Sequence, residues 1–73
     1  MKNDFIVDCP ASKIENIIDE YVHNKRDRTI LKLKWLDEIT YHEIAEHPEV
    51  MMSDRGVQYV VDRYRKKLLK YFV

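Results

Sequence analysis

Apolar residues return along this chain every three or four positions, the spacing that lines one face of an α-helix rather than the alternation of a half-buried strand. Ile14, Ile17, Ile18, Tyr21 and Val22 form the first such stripe. They predict a helix over about Lys13 to His23, opened by a capping box of Ser12 and Glu15. The run Asn24 to Arg28 has no apolar residue, after which Ile30, Leu31, Leu33, Trp35 and Leu36 predict a second helix. Asp27 is its candidate cap and first-turn acid, and Leu33, off the main stripe, predicts burial on more than one side. Thr40 and Glu43 form a second capping box that opens a third helix, with Ile44 and Ala45 as its apolar face. That helix should end near His47, because Pro48 drives the residue before it out of the α region. Val57, Val60, Val61, Tyr64, Leu68 and Tyr71 predict a long last helix from about Asp54 to Lys70, capped by Ser53. Val50, Met51 and Met52, in the turn before it, read as hydrophobic plugs for the angle between the two helices.

With one glycine and two prolines, turn signals are few and strands are not expected after Ser12. The fold class expected is all-α, a small bundle of about four helices. Seventy-three residues support one core. Residues 12–73 are therefore read as a single domain, and residues 1–11, with Phe5-Ile6-Val7 ahead of Pro10, as an N-terminal arm.

Formal charge sums to zero, but it is segregated. Residues 1–23 carry two positive and five negative charges, and 24–36 carry five and one. Residues 37–52 carry five negatives only, and 53–73 carry six positives and two negatives. Two basic helices thus alternate with two acidic segments, and a basic stripe is what phosphate contact with counterion release requires. The basic end of the last helix also complements its own dipole, so by itself it has two explanations.

The pairing of Thr40-Tyr-His-Glu-Ile-Ala-Glu with Ser53-Asp-Arg-Gly-Val-Gln reads as the two helices of a DNA-binding helix-turn-helix. Together with Arg26 to Leu36, Ile39 to Glu46, and Arg63-Tyr-Arg-Lys-Lys-Leu, these residues resemble the promoter-reading region 4 of sigma-70-type factors. They are also similar to small phage-encoded regulators of the ArpU and RinA types, over roughly Arg26 to Leu69. The resemblance implies a C-terminal helix-turn-helix whose second helix, opened by Ser53, lies in the major groove of double-stranded DNA. On it, Arg55, Gln58, Tyr59 and Asp62 would face the bases, while Ser53, Arg63, Lys66 and Lys67 would touch phosphates. The segment His47 to Met52 is longer than the family's tight turn and contains Pro48. Gly56 stands where the family has a larger residue, either to admit DNA closely or as simple tolerance. The acidic patch around Glu43 and Glu46 would point away from DNA, toward a protein partner such as RNA polymerase.

Catalysis is not expected. His42 and His47 fall about 140° apart on a helix wheel and match neither H-E-x-x-H nor H-x-x-E-H, so no metal site is expected. No triad or phosphate-cradling glycine loop is present in the sequence, and neither a cofactor nor a small-molecule substrate is implied. The lone Cys9 forms no intrachain disulfide and, without a long apolar run, no signal peptide or membrane span is expected, which makes the cytoplasm the expected compartment. The remaining aromatics, Trp35, Tyr21, Tyr41, Tyr64, Tyr71 and Phe72, read as core and core-edge residues. The leading expectation is a sequence-specific transcriptional regulator. The alternative is a phage-type interaction module that binds or inhibits a host complex such as RNA polymerase, and a third possibility is a homodimer formed through Tyr59, Leu69, Tyr71 and Phe72.

Overall fold

The computed structural model describes residues 9–72; the Phe5-Ile6-Val7 run lies outside them. Four helices account for the regular structure, α1 (Ala11–Tyr21), α2 (Lys25–Trp35), α3 (Tyr41–Ala45) and α4 (Asp54–Phe72), and no strand occurs among the described residues. This is the small all-α bundle that the apolar spacing predicts.

α1 buries Ile14, Ile17 and Ile18, and its continuation Val22 is fully buried. It opens earlier than the capping-box reading places it. Pro10 stands at the cap with no side-chain hydrogen bond, and Ser12 and Glu15 are exposed within the helix. The proline ring presets the backbone for a helix start, and the Pro10 carbonyl receives the N–H groups of Lys13 and Ile14 at 3.0 and 3.1 Å.

α2 is capped by Asn24 rather than by Asp27: the Asn24 Oδ1 accepts the Asp27 backbone N–H at 3.1 Å. Asp27 is a first-turn acid, as its position implies, and it is also the one buried charged residue among those described. Its Oδ2 accepts a hydrogen bond from the Tyr64 hydroxyl at 3.0 Å, across 37 residues of sequence. Burial, this bond and the Asp27 charge all raise the Tyr64 pKa above 10.0.

Past α2, Glu38 takes a left-handed backbone with φ 54°, which lets the Ile39 N–H reach the Leu33 carbonyl at 3.1 Å. Thr40 then caps α3 by accepting the Glu43 N–H at 3.2 Å, so this half of the expected capping box is formed. α3 ends at Ala45, sooner than His47. Of the three apolar residues in the following turn, Val50 is buried and Met52 half-buried, whereas Met51 is 74 % exposed and is no plug. Its φ of 48° explains the split. The left-handed residue reverses the chain, so that Val50 turns inward and the Met52 N–H reaches the Ala45 carbonyl at 3.2 Å.

α4 is the longest element, with 19 residues, and packs on all three other helices. Val57, Val60, Val61, Tyr64, Leu68 and Phe72 form its buried face. At about 1.5–3 kcal/mol for each buried aliphatic or aromatic side chain, this face outweighs the roughly 1 kcal/mol that a helical glycine costs at Gly56. Phe72 meets Trp35 edge-on with ring centroids 5.5 Å apart, and Tyr71 stacks on Tyr21 at 4.2 Å. Two of the three aromatics that were candidates for a dimer surface, Tyr71 and Phe72, are therefore engaged within the chain, whereas Tyr59 is exposed.

Two substitutions probe these features by thermal denaturation. Tyr64→Phe leaves the buried Asp27 carboxylate without its hydroxyl donor and should cost about 1–3 kcal/mol. Met51→Gly relieves the left-handed strain and should stabilise the fold by roughly 0.5–1 kcal/mol, a rise of several degrees in melting temperature.

Candidate nucleic-acid interface

The buried stripe of α4 faces the other three helices, so its opposite side is left to solvent. At about 100° per residue, Arg55, Tyr59, Lys66 and Lys70 fall closest to the outward direction, with Asp62 next on the Gln58 side. Gln58 lies to one side of them and Arg63 and Lys67 to the other. Arg55, Gln58, Tyr59, Arg63, Lys66 and Lys67 are all exposed, and Asp62 is half-buried. Tyr59, at 66 % exposure, is an aromatic with no place in the core. Arg55 and Lys66 are separated by roughly 16 Å along the axis at 1.5 Å per residue.

The N-terminus of this helix is built by Ser53, whose Oγ accepts the Gly56 N–H at 3.1 Å. A side chain at Gly56 would meet two neighbouring side chains. A methyl there would approach the Met52 Cε to 3.0 Å and the capping Ser53 Oγ to 3.2 Å. His42 ties α3 to the same helix start: its Nδ1 is 3.2 Å from Asp54 Oδ2, and its Nε2 is 3.6 Å from Glu46 Oε1. Glu43 on α3 and Glu46 just past its end are both exposed, as their assignment to a partner patch requires. Among the described residues no group of histidine, cysteine and carboxylate side chains could hold a metal ion.

Midway along α4, Asp62, Arg65, Lys66 and Leu69 line a surface concavity of about 410 Å³. Tyr41 of α3 lies close enough to sense two of these residues. Burial raises its pKa, the Asp62 charge adds to the rise, and Arg65 opposes it. From the other side the Lys34 ammonium sits 4.3 Å from the centre of the Tyr41 ring and donates to the Ile39 carbonyl at 3.4 Å.

The two basic segments differ in how they use their charge. In α2, Arg28 donates to the carbonyls of Val22 and Asp19, closing the end of α1, and Lys32 pairs with Asp19 at 2.9 Å. With Lys34 held on Tyr41 and the Arg26 Nε 3.7 Å from Asp27 Oδ1, four of the five cations between residues 24 and 36 serve internal contacts. On α4, Arg63 and Lys67 lie 5.1 and 6.0 Å from the Tyr64 ring centre while their side chains remain exposed. Charge counting treated the two segments alike; only the location of their neighbours separates them.

No family model matches the chain, and the searches of curated proteins and of solved structures likewise find no match. No helix among the described residues is long and apolar enough to cross a membrane.

Ser53→Ala tests the dual assignment of this residue as cap and phosphate contact. Loss of the cap should cost about 1 kcal/mol in thermal or urea unfolding, and Ser53→Asp, which restores an acceptor, should recover that stability.

Proposed function

We propose that this protein is a sequence-specific double-stranded DNA-binding regulator of the sigma region 4-like type, reading the major groove with the outer face of α4. One observation carries the reading: a face holding Arg55, Gln58, Tyr59 and Lys66 stands free along a helix whose other side is locked in the core. A helix of this diameter fits the major groove. Arginine pairs bidentately with guanine O6 and N7, glutamine with adenine N6 and N7, and an exposed tyrosine packs on base or sugar. Asp62 would accept from a cytosine amine, and Ser53, Arg63, Lys66 and Lys67 would hold phosphates on the flanks. The surplus of positive charge on residues 53–73 supports the same role. In this reading Glu43 on α3 and Glu46 at its end are offered to a protein such as RNA polymerase, and their charge keeps that side of the domain off the phosphates.

Selection from a randomised duplex library at two salt concentrations tests the proposal. The expected result is one enriched motif, with affinity falling steeply as salt rises. Arg55→Ala or Gln58→Ala should cost roughly 1–3 kcal/mol and relax preference at one position, while Lys66→Ala should weaken all sequences alike. Absence of enrichment at either salt would transfer the assignment to the protein-interaction module, which charge reversal at Glu43 and Glu46 would then probe in a polymerase pull-down.

A further inference from the structure

The turn between α3 and α4 carries a side chain that the fold does not use. Met51 is 74 % exposed, and its φ of 48° lies where glycine or asparagine sits at less cost than any other residue. The backbone needs this conformation. The Met51 N–H bonds to the His47 carbonyl at 3.0 Å, and the reversal that follows brings the Met52 N–H to Ala45 and leaves Val50 in the core. None of these contacts involves the Met51 thioether. A glycine would make the same turn without strain and without exposing apolar surface, so the contacts among the described residues do not account for the side chain. Strained non-glycine residues are concentrated at such working positions.

Its location limits what that something is. Met51 stands two residues before the Ser53 cap, beside the α4 N-terminus that presents Arg55 and Gln58, and the nearest α4 carboxylate, Asp54, is drawn toward His42. In the major groove the apolar feature within a base edge is the 5-methyl group of thymine. We propose that Met51 is a specificity-determining residue that packs its thioether on a thymine methyl next to the bases read by Arg55. The assignment rests on the DNA-reading role of α4 and adds to it an apolar contact from the preceding turn.

The test uses the duplex that the wild-type protein selects, with each thymine replaced in turn by deoxyuracil, which lacks only the methyl. Wild type should lose about three- to fivefold in affinity at one position. Met51→Gly, in which glycine suits the backbone, should bind the parent duplex weaker by a similar factor and show no loss at that deoxyuracil. Met51→Leu, which keeps an apolar side chain, should retain the discrimination. Met51→Gly with the wild-type response to deoxyuracil, or with unchanged affinity for the parent duplex, overturns the inference. If Arg55 still shapes the motif in that case, the DNA reading survives and Met51 alone is misassigned. If wild type enriches no duplex, both fall together.

Discussion

A 19-residue helix in a domain of this size can bury only one of its sides. α4 meets that constraint by giving Val57, Val60, Val61, Tyr64, Leu68 and Phe72 to a core shared with α1, α2 and α3. The other helices are short, with α3 only five residues long, and isolated helices of such length are marginal in water. Their stability comes from the apolar surface that α4 supplies. The same constraint leaves the opposite face of α4 uncovered along its length, which is why the candidate interface lies there.

Within that core the Tyr64–Asp27 hydrogen bond adds direction to otherwise non-directional burial. It joins the first turn of α2 to the middle of α4; the Arg26 guanidinium lies 3.7 Å from the same carboxylate, and the Asn24 cap fixes the Asp27 backbone N–H. A buried carboxylate is costly when its partners are lost and specific when they are present. α2 and α4 therefore have one favoured register, with Tyr64 opposite Asp27. Around this joint Arg28 and Lys32 are held on α1 and Lys34 on Tyr41, whereas the cations of α4 remain exposed even where Arg63, Lys67 and Lys70 lie over tyrosine rings.

The junction between α3 and α4 is assembled from small polar contacts and one strained residue. Thr40 and Ser53 each cap a helix through a single backbone N–H, and His42 bridges from α3 to Asp54. Between them Met51 in the left-handed region turns the chain, so that the loop contributes Val50 to the core while holding a methionine in solvent. This connection has its own backbone hydrogen bonds, and its conformation follows from them.

Helical class, the order of four helices and nearly all of the core were legible from spacing, because burial on one face of a helix imposes a three-to-four period on the sequence itself. The Thr40 and Ser53 caps were legible for a similarly local reason: an N-cap bonds three residues ahead. The role of Asp27 in the core was not legible, because its partner lies 37 residues away on α4 and no local pattern encodes that contact. The uses of Arg28, Lys32 and Lys34, the engagement of Tyr71 and Phe72 within the chain, and the outward turn of Met51 likewise depend on which elements meet in space. The sequence alone determined that α4 has one apolar and one polar face; the packing of α1, α2 and α3 against it decided which charges are held internally and which stay exposed, because exposure is set by three-dimensional neighbours.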